Sequence, residues 1–268
     1  MENSLDELVK VVQSSGRYQA ISEDLIRQVG SAELNKGRKF KEAVKTTRSK
    51  LHQVAVAYQE TPIAYNKLYE NLAGLPSDLH APETLAFCKE TMRRHVSTAE
   101  RLPMVETFFN ELLTPLGPIH SVLDLACGLN PLARPWMPLC DDAQYYACDI
   151  YHDMMDFINR FIIHTAQSGQ AQVCNLTQSC PDTPVDVTFL LKSVPCLEQL
   201  DKNLIPRLLQ KIPSRFIIVS FPGHSIGGHN KGMSDFYSKH FEELISGLPF
   251  KSQIFSFPSE IAFLLTRI

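Results

Sequence analysis

Near residue 118 the chain changes its hydrophobic period. Before that point apolar residues recur in steps of three and four. After it, short apolar runs alternate with helical stretches: Ser121–Leu125, Gln144–Ile150, Gln172–Leu176, Val185–Leu191, Phe216–Phe221, Gln253–Phe257 and Ile261–Thr266. Five runs separated by helices and a closing pair adjacent in sequence predict an α/β fold. The expected architecture is a doubly wound, mostly parallel seven-stranded sheet with an antiparallel hairpin at one edge.

The first third reads as helix throughout. Ser4-Leu5-Asp6-Glu7 has capping-box spacing, followed by the stripe Leu5, Leu8, Val9, Val12 and a stop at Gly16. A short helix is expected after Ser22. Phe40, Val44, Thr47, Leu51, Val54 and Tyr58 then mark a third helix with one buried face. Pro76 to Pro82 reads as a connection, and a helix is expected from Pro82 to about Arg93. Ser97-Thr98-Ala99-Glu100 is a second capping box, with Pro103 close behind to kink or delay the helix. The domain boundary is expected near residues 103–118, giving an all-helical N-terminal domain (1–105) and an α/β domain (106–268).

With 268 residues, 44% hydrophobic and 21% charged, the chain is not wholly disordered, collagenous or coiled-coil. It has no apolar run approaching the ~18 residues of a membrane span, and no basic-then-apolar opening. Seven cysteines without a C-x-x-C pair resemble neither a disulfide framework nor a zinc site, so no metal and a reduced, cytoplasmic location are expected. Residues 1–100 carry 14 basic against 13 acidic side chains, and the remainder 12 against 16. Within the first part, Lys36, Arg38, Lys39, Lys41, Lys45, Arg48 and Lys50 face a single acid, Glu42. By itself this segment fits a solvated helix face as well as a phosphate-binding surface.

The turn after the first strand carries the chemistry. In Val122-Leu123-Asp124-Leu125-Ala126-Cys127-Gly128-Leu129-Asn130-Pro131, small residues let a ligand approach the backbone. The G-x-G-x-x-G of a nicotinamide site is absent. An acid at the strand end followed by small residues instead resembles the D-x-G-x-G turn of class I S-adenosylmethionine (SAM)-dependent methyltransferases, with Ala126 and Asn130 in place of the usual glycines. Asp149, 25 residues on, closes the second strand and can accept both ribose hydroxyls. Asn175-Leu176, placed at the third strand end, sits where the resemblance to these methyltransferases implies an acid and an apolar residue flanking adenine.

Several further motifs follow in order: Arg48-Ser49-Lys50-Leu51-His52, Ser97-Thr98-Ala99-Glu100-Arg101-Leu102, the Ala126–Pro131 turn, Cys148-Asp149-Ile150, and Ser220-Phe221-Pro222 with Gly227-Gly228-His229-Asn230-Lys231-Gly232-Met233. Together they resemble the aminoglycoside-resistance 16S rRNA (guanine-1405 N7) methyltransferases, from about Leu5 onward. The resemblance implies a helical region that docks on the 30S subunit and a domain that binds SAM. It places Tyr58, His95, Val96, Ser97 and Arg101 over the cofactor, with Arg101 on the methionine carboxylate. Ala126 and Gly128 would underlie the methionine part, Asp149 the ribose, and Asn175 and Leu176 the adenine, with Leu191 and Gln199 completing the pocket. Lys192 is expected beside the sulfonium, within reach of the target base. His95 reads equally well as a capping or packing histidine. The seven bases of residues 36–50, with His229 and Lys231, are the expected RNA contacts, and a clear docking face favours a monomer.

N7 of guanine has a lone pair and no proton at neutral pH, so no catalytic acid or base is expected, only alignment. Two other readings fit less of the sequence: a non-catalytic ribosome-binding protein on the same scaffold, and a small-molecule methyltransferase whose helices form a lid.

Overall fold

The computed structural model describes residues 2–59, 61–223 and 233–268. His229 and Lys231, with His224 and the glycines at 227, 228 and 232, lie outside them. The helical part runs α1 (Glu2–Gln13), α2 (Glu23–Leu34), α3 (Phe40–Val54), α4 (Tyr65–Ala73), α5 (Pro82–Met92), α6 (Val96–Arg101) and α7 (Val105–Leu113). Ser22 stands immediately before α2, and Pro82 takes the first turn of α5, where its missing N–H costs nothing. Leu102–Met104 tighten into a 3-10 turn around Pro103 between α6 and α7, which is the interruption that proline predicts.

Both capping boxes are displaced. The first helix starts at Glu2, leaving Ser4 inside it. In the second, His95 takes the cap position of α6 and Ser97 lies within the helix, hydrogen-bonded to the His95 ring. Helix α4 is not among the helices expected from the sequence, although its buried Tyr65, Leu68 and Leu72 stand at helical spacing.

The sheet comprises β1 (Ser121–Leu125), β2 (Gln144–Asp149), β3 (Ser168–Val173), β4 (Val185–Leu191), β5 (Ser214–Pro222), β6 (Phe250–Phe257) and β7 (Glu260–Arg267). Their order is β3-β2-β1-β4-β5-β7-β6, with every pair among the first five parallel and β7 antiparallel to both β5 and β6. The seven strands and the edge hairpin are as expected. The third strand is not where its apolar run suggested: it occupies residues 168–173, and Asn175 and Leu176 follow it. As an edge strand with Ser168, Gly169, Gln170 and Gln172 exposed, β3 has no hydrophobic signature. Gly169 (φ +130°) is obligatory there, since a Cβ would fall 2.0 Å from the Tyr145 carbonyl oxygen.

Helices do not separate all five parallel strands. After α8 (His152–His164) joins β2 to β3, residues 174–184 join β3 to β4 without a helix, and a 3-10 segment (Asn130–Trp136) containing Pro131 and Pro135 joins β1 to β2. Helices α9 (Val194–Leu200) and α10 (Leu204–Lys211) lie between β4 and β5, and α11 (Met233–Ile245) leads into β6. One hydrophobic core runs from Leu8, Leu25 and Leu51 of the helical part through Phe108 and Phe109 to Phe157, Phe189 and Leu264 of the sheet side. A second lies on the opposite sheet face, where Phe221, Phe241 and Phe263 meet. The N-terminal helices are thereby fixed over the carboxyl ends of the strands.

Candidate functional site

Strand order reverses between β1 and β4, and the loops leaving them diverge to open a crevice. A cavity occupies it, at the place where open α/β sheets hold their ligands. Its floor comes from strand ends (Ala126, Asp149, Ile150, Leu191, Lys192) and the segment after β3 (Cys174, Asn175, Leu176). The helical part closes it with Leu25, Val54, Ala55, Tyr58, His95 and Ser97, and α9 adds Cys196, Leu197 and Leu200.

The two residues immediately after β1 and β4 at the crevice both have left-handed backbones: Ala126 at φ +50° and Lys192 at φ +55°. Non-glycine residues there are strained, and such strain gathers where backbone must approach a ligand. Gly128 is also left-handed, at φ +51°, and a Cβ on it would lie 2.8 Å from the His95 ring. Its N–H donates to Asp149 Oδ2 at 2.9 Å, while the Ile150 N–H donates to Oδ1 at 2.7 Å. Burial raises the Asp149 carboxyl to about 6, against the lowering pull of those two N–H donors. The turn therefore fixes this carboxylate in the cavity wall.

Above it, the Tyr58 and His95 rings stack 6.2 Å apart. His95 Nδ1 lies 2.9 Å from Ser97 Oγ, and Tyr58 Oη 2.8 Å from Cys196 Sγ. Burial, assisted by the charge of Arg101, lowers His95 to about 4, and burial raises the Tyr58 phenol, so both rings are uncharged at neutral pH. His95 is thus at once a packing residue and a cavity residue. Ser193 Oγ is buried beside the cavity with no hydrogen-bond partner among the described residues, an atom a ligand could satisfy.

Of the residues expected to contact the cofactor, Tyr58, His95, Ser97, Ala126, Asp149, Asn175, Leu176 and Leu191 line this cavity. Gly128 lies one layer beneath, under His95. Val96 is half-buried at the start of α6 and does not line it. Gln199 is exposed; Cys196, Leu197 and Leu200 turn one face of α9 inward, and position 199 falls on the other. Asn175 lines the wall, but its amide is committed within the protein: Nδ2 donates to Gln28 Oε1 at 2.9 Å, and Oδ1 accepts from Thr177.

Arg101 and Lys192 need a larger correction. The Arg101 guanidinium is fully buried and donates through Nε and Nη2 to both Glu260 oxygens (3.0 and 2.7 Å) and through Nη1 to Asn130 Oδ1 (2.8 Å). Lys192 lines the cavity, while its buried ammonium bonds Glu100 at 2.8 Å and lies 3.4 Å from Glu260. Ser220 also donates to Glu260. Burial opposes the Glu260 charge, but the two cations and these hydrogen bonds hold its carboxyl below the ordinary range. In this arrangement neither basic group is offered to a ligand: they tie α6, β4, β5 and β7 together beneath the site. Glu260 carries no sequence signal beyond an acid opening an apolar strand.

The basic segment also divides. Glu33, buried in α2, binds Lys36, Arg38 and Lys50 at 2.7–2.8 Å. Burial would raise its carboxyl, but hydrogen bonds from these three bring it to about 2. Arg48 donates to the Val11 carbonyl and lies over the Tyr18 ring. Lys39, Lys41 and Lys45 are exposed and have no ion pair among the described residues.

Comparison with known proteins decides the family. Residues 14–249 match the model of the ribosomal RNA methyltransferase (FmrO) family. The chain belongs to that family. It is 31% identical over 99% of its length to a 16S rRNA (guanine(1405)-N(7))-methyltransferase of Micromonospora rosea, covering 98% of that protein. It is 33% identical to one of Micromonospora echinospora, over 90% of this chain and 89% of the other. Among solved structures, the 16S rRNA methyltransferase RmtF in complex with S-adenosyl-L-homocysteine superposes over the whole of both chains with a TM-score of 0.87 at 26% identity. Family membership accounts for the class I architecture. No helix among the described residues is long and apolar enough to cross a membrane.

Proposed function

We propose that this protein transfers the methyl group of SAM to N7 of guanine 1405 of 16S rRNA in the 30S subunit, the position named for its relatives, and so confers aminoglycoside resistance. The observation that carries this reading is the cavity at the strand switch point, where a carboxylate held by two backbone N–H groups meets a turn whose Gly128 has no room for a Cβ. Asp149 takes the ribose hydroxyls, with Leu176 and the backbone near Asn175 at the adenine and Ala126 at the methionine part. Ser193 Oγ offers a further hydrogen bond.

Bound SAM supplies an electrophilic methyl on a positively charged sulfur. The chain's part is to hold that charge without opposing it. His95 and Tyr58 present neutral rings, and Glu100 and Glu260 neutralise Lys192. Because N7 carries no proton, no residue has to remove one, and catalysis rests on alignment and exclusion of water. The target base must leave its stack to reach the cavity. Lys39, Lys41 and Lys45 supply salt-sensitive attraction to phosphate, and the enzyme works as a monomer.

Tritiated SAM offered with 30S subunits, free 16S rRNA and 70S ribosomes in parallel, followed by mapping of the modified base, tests the assignment. Label confined to N7 of that guanine in 30S supports it; label elsewhere, or none, refutes it. Asp149→Ala should weaken S-adenosylhomocysteine binding by calorimetry at least tenfold with the fold intact. Unchanged affinity refutes the ribose assignment.

A further inference from the structure

At the opposite end of the sheet from the cavity, three donor side chains meet on the loops that enter β1 and β2. His120, Cys140 and Asp142 can each place one ligand atom within 4.8 Å of the other two. Cys140 Sγ lies 3.6 Å from His120 Nε2, and Asp142 Oδ1 3.1 Å from Nδ1. With a metal–sulfur bond of ~2.3 Å and a metal–nitrogen bond of ~2.1 Å at a tetrahedral angle, sulfur and nitrogen ligands stand ~3.6 Å apart. The thiol and the ring thus already have the separation of two ligands on one ion.

The backbones that carry them are fixed. The Cys140 N–H donates to the Ile119 carbonyl at 3.0 Å, and the Gln144 N–H to the His120 carbonyl at 2.8 Å, locking the two loops side by side. Asp186 accepts from the His120 N–H, and Arg134 donates to the Cys140 carbonyl, at 2.8 and 2.9 Å. A site whose ligands are held before the ion arrives loses less entropy on binding. None of these side chains has a part in the proposed methyl transfer, and the spacing matches no cysteine motif.

We propose that Cys140 Sγ and His120 Nε2 bind a divalent cation of borderline softness such as Zn²⁺, with Asp142 orienting the ring through Nδ1 and water completing the tetrahedron. A thiolate and an imidazole nitrogen suit zinc or cobalt and disfavour magnesium or calcium, which take oxygen alone. Binding releases the Cys140 thiol proton to solvent, so affinity falls as pH is lowered. The pairing neutralises a half-buried thiol and clips the entry loops of β1 and β2 together, which should raise the stability of that end of the sheet without touching the cavity.

The test is titration of the full-length protein with Co²⁺ under anaerobic conditions. A near-ultraviolet thiolate-to-cobalt charge-transfer band should saturate at one equivalent and be bleached by stoichiometric Zn²⁺. Cys140→Ser and His120→Ala should abolish it, Asp142→Asn should raise the Kd at least tenfold, and Cys180→Ser should leave it unchanged. Absence of the band in the wild type, or its survival in Cys140→Ser, overturns the proposal. S-adenosylhomocysteine affinity, expected to be the same with and without Zn²⁺, confirms that each variant is folded.

Discussion

Two buried glutamates each gather basic side chains, in contrasting surroundings. Glu260 holds Arg101 and Lys192, whose side chains are 1% and 2% exposed. Glu33 holds Lys36, Arg38 and Lys50, which are 52%, 34% and 38% exposed. At Glu260 only protein can answer the charges, so the cluster stands or falls together and fixes the strand ends that frame the cavity. At Glu33 water can replace the carboxylate, so the same chemistry trims a surface potential. One arrangement builds the site; the other limits how much of a basic run can reach a polyanion.

The sharpest break of this comparison is Glu260→Ala. It leaves two buried cations without their shared partner, a loss of ~3–5 kcal/mol for a buried pair broken on one side. Urea denaturation should show a large drop in midpoint, with Glu33→Ala costing less than half as much because its partners are already partly hydrated. Equal losses would mean that the two clusters do not differ in the way their exposure indicates.

Next in size is the division within the basic segment. Converting Lys39, Lys41 and Lys45 to Glu should weaken 30S binding at least tenfold. It should also lower the slope of log affinity against log salt by about 2, at ~0.7–0.9 for each phosphate no longer neutralised. Lys36→Ala with Lys50→Ala should change both far less, since Glu33 already claims those charges. Filter binding at four salt concentrations separates the outcomes, and equal effects from the two sets would restore the uniform basic run.

That division is partly legible in the sequence: Glu33 stands three residues before Lys36 and five before Arg38, while its pairing with Lys50 depends on the packing of α3 against α2. Local patterns carry further. The boundaries of β1 and β4 follow from their apolar runs, and Asp149 is legible because a carboxylate at a strand end has few other uses there. Strand β3 escapes its apolar signal because an edge strand need not be apolar, and Gln199 misses the cavity because one residue along a helix changes its face. Arg101 and Lys192 read as ligand contacts because their partner, Glu260, is 159 residues from Arg101; pairing over that distance is a property of the folded sheet. The Ala126 turn is visible as small residues, while its left-handed backbone is not.

The smallest effect concerns Asp124, beneath that turn. Its Oδ2 accepts from Asn130 Nδ2 at 2.8 Å and Tyr145 Oη at 2.7 Å, while Oδ1 is buried without a partner among the described residues. Burial raises its carboxyl to about 7, against the pull of those two hydrogen bonds and of Arg101, and with a further push from Asp149. A folded-state value above the unfolded one, ~3.9, means that the native protein binds the extra proton between the two. Its contribution to stability is therefore complete near pH 4 and is lost as pH rises through about 7. Between pH 6 and pH 8 this loss amounts to about 1 kcal/mol. Asp124→Asn keeps the shape and removes the titration, so the difference in urea stability between variant and wild type should shift in the variant's favour as pH rises over that window. A pH-independent difference would show that Asp124 is ionised throughout, which would make the inner turn, like Glu260 and unlike Glu33, a place where buried charge is fully answered by protein.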